Sequence, residues 1–214
     1  AFRKGFSRTH AAAAIRRAYE RGYRYVLDAD IDSFFDSVTW DRMLVRLRAL
    51  YPYEPLVDLI AGWLAAPVHY RGQVIHRKRG LPQGAPVSPL LANLFLDEFD
   101  EELLGRNYRL VRYADDFLVL CHDLDEARRA HADARASLAR LGLEMNEDKT
   151  SIRTFDAGFS YLGYLFCRSL VLEQEEAEDQ TGGGATPDER SWLAQVPLAR
   201  LREVRPGGPG RDGP

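Results

Sequence analysis

Tyr108-Arg109-Leu110-Val111-Arg112-Tyr113-Ala114-Asp115-Asp116-Phe117-Leu118-Val119-Leu120-Cys121 is the stretch that decides the fold. Two runs rich in β-branched and aromatic residues, Tyr108–Arg112 and Phe117–Cys121, flank a short polar break, a pattern that predicts a β-hairpin with a tight turn. Side chains alternate along a strand, so Phe117, Val119 and Cys121 share one face and Leu118 and Leu120 the other. Both faces are apolar, so the second strand is expected to be buried on both sides. The turn then presents Asp115 and Asp116 at the rim of a rigid sheet. Asp is also an ordinary turn residue, because its carboxylate accepts hydrogen bonds from nearby backbone. The hairpin alone leaves a structural turn and a metal site both open.

A third carboxylate shifts the balance. Tyr23–Ile31 reads as another strand, and Asp30 stands at its end. Two-metal chemistry needs acids from separate elements to converge, so that the ions sit roughly 3.5–4 Å apart. The remaining pattern supports such convergence. Thr9–Arg21 is an Ala-rich helix closed by Gly22, and Thr39 is a candidate N-cap for a helix through Leu44, Leu47 and Leu50. Leu56–Leu64 reads as a further helix, and Val68–Arg77 as a basic hairpin pivoting on Arg71-Gly72. Three prolines and two glycines between Arg79 and Pro89 prescribe a loop. It feeds a helix over Leu90–Leu104, with Ser88 as N-cap and Pro89 in the first turn. Such a loop on a helix start either approaches phosphate with its N–H groups or simply begins the helix. Leu124–Leu141 is helical and ends at Gly142; strands follow at Ser151–Phe155 and Phe159–Phe166. The order gives an α+β fold, a split βαββαβ unit (ferredoxin-like) whose antiparallel sheet is backed by helices. In it the first strand lies beside the central hairpin, so Asp30 should meet the Asp115–Asp116 turn.

The 214 residues, 45% hydrophobic and 29% charged, suit a soluble globular domain with a tail. No apolar run approaches the roughly 20 residues that span a bilayer, and the Arg-rich start lacks the apolar centre of a signal peptide. Beginning at Ala1 in mid-pattern, the chain is expected to be a fragment of a longer protein. Cys121 and Cys167 read as buried free thiols, which suggests a cytoplasmic setting. Net charge is -3, but seven acids crowd into residues 173–189 without a Lys or Arg, and setting them aside leaves +4. A mildly basic body with an acidic strap is compatible with polynucleotide binding. Arginine makes up 26 of the 29 basic residues, a bias that suits phosphate recognition or reflects genome composition. The expected organisation is a folded unit over 1–170, an acidic and Gly-rich linker over 171–190, and a tail over 191–214.

Five stretches stand in a telling order: Asp30-Ile31-Asp32-Ser33-Phe34-Phe35-Asp36, Arg79–Pro89, Tyr113–Asp116, Gly142–Thr150 and Tyr161-Leu162-Gly163. Over about residues 1–168 they resemble the palm and part of the fingers of reverse transcriptases, in the form found in group II intron-like bacterial enzymes. The resemblance implies an RNA-directed DNA polymerase acting on an RNA template, a DNA primer and dNTPs. It implies that Asp30, Asp115 and Asp116 are catalytic and hold two Mg2+ ions, with Mn2+ as an alternative, and that the Ile31 carbonyl joins them. Phe35 matches a steric gate against the 2'-hydroxyl, although the same ring could be plain core. Gln83 matches a nucleotide-contacting glutamine, Lys149 a lysine that serves the triphosphate, and Arg3 and Lys4 fingers residues near it. Tyr161–Tyr164 resembles the primer grip. No helical thumb pattern follows residue 170.

The wording Gly84-Ala85-Pro86-Val87-Ser88-Pro89, and the segment Trp192–Leu198 beyond an acidic linker, are similar to reverse transcriptases fused to the CRISPR integrase. This finer likeness implies a CRISPR-associated role in antiviral defence, with an RNA spacer copied into DNA and an integrase domain or subunit as partner. Two other readings stay open. One is a degenerate palm that only binds nucleic acid or an integrase. The other is a nucleotide cyclase, whose Gly-Gly-acidic-acidic-Phe signature is absent here.

Overall fold

The computed structural model describes residues 6–52 and 55–174, and the backbone of 201–203. The central sheet contains β1 (Tyr25–Ala29), β4 (Arg109–Tyr113), β5 (Asp116–Cys121) and β6 (Ser151–Thr154), in the spatial order β4-β5-β1-β6. All three pairings are antiparallel. This is the expected split βαββαβ arrangement, with the first strand seated beside the hairpin.

β5 is the spine because it is apolar on both sides. Phe117, Val119 and Cys121 enter one core with α5 (Ser88–Gly105) and α6 (Leu124–Arg140). Leu118 and Leu120 enter a second core with Ala12, Ile15 and Ala18 of α1 (Arg8–Glu20) and with Phe155, Phe159 and Phe166. Fully burying a side chain of the size of Phe117 stabilises the fold by about 1.5–3 kcal/mol, and each residue from Phe117 to Cys121 is completely buried.

The helices carry the signals expected of them. Asp123 caps α6 by accepting a 2.7 Å hydrogen bond from the Glu126 N–H, and Asp125 and Glu126 favour the positive end of the helix dipole. Ala127, Ala130 and Ala134 let α6 lie close against the sheet. Ser7 caps α1 in the same way.

Several local expectations are revised. Ser88 is the first residue of α5 rather than its N-cap, a position taken by Val87. The Ser88 hydroxyl instead donates to the Pro82 carbonyl at 2.5 Å, folding the preceding loop back on the helix start. Thr39 precedes α3 (Trp40–Leu50), but its side chain makes no capping hydrogen bond. A short helix, α2 (Phe34–Ser37), fills the stretch after Asp30. Phe159–Phe166 is two strands, β7 (Phe159–Tyr161) and β8 (Tyr164–Cys167), reversed at Leu162 and Gly163, both in the left-handed region. β9 (Leu170–Gln174) pairs with β8, and β10 (Leu201–Glu203) pairs with β9. The rest of the expected linker and tail lies outside the described residues.

The helix α4 (Pro55–Ala65) and the hairpin of β2 (Val68–Tyr70) with β3 (Gln73–Ile75) appear as expected, the latter turning through Arg71 and Gly72 at positive φ. Both cysteines are free, Cys121 buried and Cys167 only partly so. Burial pushes the Cys121 thiol up to about 12, which makes it a core residue rather than a nucleophile. Among the described residues no helix is long and apolar enough to cross a membrane.

Candidate functional site

Register places the acids. The β1–β5 pairing ends at Ala29↔Phe117, and one further step sets Asp30 opposite Asp116. The segment after β1 is then stitched to the turn before β6. The Asn146 N–H donates to the Asp30 carbonyl at 2.9 Å, the Asp32 N–H donates to the Glu144 carbonyl at 2.9 Å, and Ile31 bridges Met145. The Asn146 side-chain oxygen accepts from the Lys149 N–H at 3.2 Å and tightens that turn. It carries the Lys149 ammonium to 2.8 Å from the Asp30 carboxylate. Asp30 is only 9% exposed, whereas Lys149 is open to solvent.

A second set of bonds brings in the loop before α5. The Leu81 N–H donates to the Phe35 carbonyl at 2.6 Å and the Gly80 N–H to the Val38 carbonyl at 2.7 Å. The Trp40 indole donates to the Gly80 carbonyl at 2.7 Å. Gly80 has a φ of +89°, and a Cβ there would stand 3.0 Å from the Phe35 carbonyl oxygen, so only glycine allows this approach. The loop is thereby held beside α2.

The result is an open cleft of about 430 Å3. Seven of the nine residues singled out from the sequence line it: Asp30, Ile31, Phe35, Gln83, Asp115, Asp116 and Lys149. Arg3 and Lys4 lie outside the described residues. Phe34 is the buried member of its pair, packed edge-on to Phe35 at 5.4 Å, and leaves Phe35 half-buried against the core with a surface on the cleft. Gln83 is exposed. Asp32, Ser33, Asp36 and Asn146 also line the cleft and were not singled out as site residues. For Asn146 the available signal was the turn wording Met145-Asn146-Glu147-Asp148.

Electrostatics show how crowded the acids are. The Asp116 carboxyl is pushed up to about 6, first by poor hydration, then by the charge of Asp30, a hydrogen bond with it, and the charge of Asp115. Along the strand end Asp116 is exposed, so the poor hydration belongs to the carboxyl's place against Asp30. Asp115 is also raised, chiefly by desolvation with Asp30 adding to it, while Lys149 and Arg112 pull it back. The hydrogen bond from Lys149 to Asp30 raises the lysine in turn. Among the described residues no three His, Cys, Asp or Glu side chains form a ready-made cage for a metal ion. The donor set fits Mg2+ nonetheless: hard anionic oxygens crowd at an open cleft, and Mg2+ characteristically takes one or two carboxylates and completes its shell with water and substrate phosphates.

An antiparallel βαββαβ sheet with acids at the junction of its first strand and central hairpin is a polymerase palm. Residues 1–166 match the family described as reverse transcriptase (RNA-dependent DNA polymerase), and the chain belongs to that family. A retron Mx65 reverse transcriptase from Myxococcus xanthus is 32% identical over 166 residues, covering 72% of this chain and 39% of that protein. The telomerase of Candida albicans, solved with a fragment of telomeric RNA, superposes with a TM-score of 0.67 over 81% of this chain and 35% of its own; at 14% identity this likeness is one of fold. A Cas6-RT-Cas1–Cas2 complex contains a chain 40% identical, covering 65% of this one and 25% of its own, with a TM-score of 0.34. The chain spans less than half the length of the curated relatives it matches.

Proposed function

We propose that residues 1–170 are the palm and part of the fingers of an RNA-directed DNA polymerase that extends a DNA primer on an RNA template. The observation that carries this reading is the meeting of Asp30, Asp115 and Asp116 in one cleft with Phe35 and Gln83. The primer 3'-oxygen forms a bond to the α-phosphorus of a dNTP, the α–β bridging bond breaks, and pyrophosphate leaves. Asp30, Asp115 and Asp116, with the Ile31 carbonyl, would hold two Mg2+ ions or Mn2+ in their place. Bound there, such ions lower the pKa of the 3'-hydroxyl and neutralise the leaving pyrophosphate. Lys149 is placed to exchange Asp30 for the triphosphate and to put a proton near the departing oxygens. Phe35 sets the floor under the sugar and disfavours a 2'-hydroxyl, and Gln83 contacts the incoming nucleotide from the loop. Tyr161 and the β7–β8 turn support the primer end.

Charge supports a polynucleotide partner. Between Asp58 and Asp97 the chain has no acidic residue, and Arg71, Arg77, Lys78 and Arg79 cluster on and after the exposed β2–β3 hairpin. That hairpin leads straight into the Gln83 loop, so its cations flank the approach to the cleft. The finer assignment, a CRISPR-associated enzyme that copies RNA spacers for an integrase partner, rests on the wording of residues 84–89 and 192–198.

Primer extension on poly(rA)/oligo(dT) with Mg2+ tests the reading. Incorporation of dTTP that is lost in Asp115→Ala is the expected result. Incorporation untouched by Asp115→Ala refutes the role given to the acids. Tight nucleic-acid binding without incorporation favours the degenerate, binding-only palm.

A further inference from the structure

The strand that leads to the two acids contains a charge it has no packing reason to carry. Arg112 is on β4, and its side chain is only 6% exposed. Burying a guanidinium is costly unless it is well paired, and an apolar replacement of a buried ion pair is often as stable. Here each of the three guanidinium nitrogens has a partner, and the pairing is directional. Nε donates to one oxygen of Asp100 at 2.6 Å and Nη2 to the other at 2.5 Å, a two-pronged contact. Nη1 donates to the Ala114 carbonyl at 2.8 Å and lies 3.3 Å from the Asn93 side-chain oxygen. Asn93 and Asp100 are seven residues apart, two turns along α5, and so share one helix face. The guanidinium therefore joins α5 to the residue immediately before Asp115.

Ala114 needs such a hold. Its φ is +59°, a left-handed conformation that is strained for a residue with a Cβ. The opposite face of the hairpin is held as well: the buried Tyr161 hydroxyl lies 3.2 Å from the Asp116 carbonyl and 3.4 Å from the Val111 carbonyl. The carbonyls on either side of Asp115 are thus gripped from the two layers that sandwich the sheet.

We propose that Arg112, oriented by Asp100 and Asn93, is a positioning residue for Asp115, acting through the Ala114 carbonyl to set where that carboxylate meets the metal. The proposal rests on the reading of Asp115 as a metal-holding residue. Arg112→Lys keeps the charge but loses the fork, and Asp100→Asn keeps one acceptor but releases the orientation. Arg46→Lys is the control, because Arg46 pairs with Asp97 at 2.7 Å and takes no part in the cleft.

Mn2+ binding to the 214-residue chain, followed by electron paramagnetic resonance, reads the site without catalysis. Arg112→Lys and Asp100→Asn should each raise the Mn2+ Kd about tenfold, while Arg46→Lys stays within twofold of the parent even if its Tm falls as far. In primer extension the first two should need about tenfold more Mg2+ for half-maximal rate. Mn2+ affinity within twofold of the parent in both clamp variants overturns the proposal, whatever happens to Tm. If Asp115→Ala abolishes binding and extension while the clamp variants change neither, the clamp alone fails. If Asp115→Ala changes neither, or the parent binds no Mn2+, the polymerase reading fails and takes the clamp with it.

Discussion

Replacing Asp116 by Asn should make the metal-free protein more stable at pH 8 and leave it unchanged at pH 4. In the folded chain the Asp116 carboxyl is raised from 3.8 to about 6, so the native state binds its proton more tightly than the unfolded chain does. Folding stability therefore falls as pH rises through the window between those two values, and the penalty is complete above it. The difference between 3.8 and about 6 corresponds to ~3 kcal/mol at full strength. Asp116 is solvent-exposed at its strand end, and screening there reduces the figure to on the order of 1 kcal/mol. Asn keeps the shape, keeps a donor for Asp30 and removes the charge. For a chain of this size that gain is a rise in Tm of roughly 2–4 °C. Urea or thermal unfolding in EDTA at the two pH values measures it. Excess Mg2+ should reverse the order at pH 8, because a cation that binds only the folded wild type stabilises it by mass action. An Asn variant no more stable than wild type at pH 8, or a gain that persists undiminished at pH 4, would refute the account of a poorly hydrated carboxyl crowded by neighbouring acids.

Other substitutions probe other parts of the argument. Phe35→Val should raise ribonucleotide incorporation relative to deoxynucleotide by at least tenfold in single-nucleotide extension, with little change in Tm; unchanged sugar selectivity would return Phe35 to the core. Gly80→Ala should cost on the order of 2 kcal/mol, since it places a Cβ against the Phe35 carbonyl at positive φ, and it should weaken dNTP use by displacing the Gln83 loop; denaturant midpoints and the dNTP KM check both halves. Phe117→Ala should destabilise by ~3–5 kcal/mol, as expected for a large side chain removed from a closed core, measured by urea unfolding.

What could be read from the residues was what periodicity and register control. The two-faced apolar pattern of Phe117–Cys121 predicted a strand buried on both sides, and its neighbour relation to Tyr23–Ile31 predicted that Asp30 would meet Asp116. The Gln83 loop declared itself through its prolines and glycines. Features set by tertiary contacts were not legible. Phe159–Phe166 looked like one strand because Leu162 is apolar and no Asn-Gly or Asp-Gly pair marks the reversal; the structure turns there with Leu162 itself in the left-handed region. Ser88 looked like an N-cap, yet its hydroxyl found the Pro82 carbonyl across the loop. Nothing in the sequence around Arg112 marks it as more than a polar position in a strand. Its partners lie 12 and 19 positions away on α5, and only the fold brings them to it.

The stitching of Asp30–Asp32 to Glu144–Asn146 has a consequence for how the molecule comes into being. The Asp30 carboxylate and the Lys149 ammonium are 119 positions apart, a separation whose loop-closure cost is ~4 kcal/mol before any contact repays it. A nascent chain that stops short of Glu144 has all three acids but not the turn that anchors the first of them. The acid cluster thus assembles only once the Glu144–Lys149 turn has been made, and hydrogen exchange should show the Asp32 amide protected only in chains long enough to include Glu144. A product interrupted before Glu144 is left with its three acids unassembled.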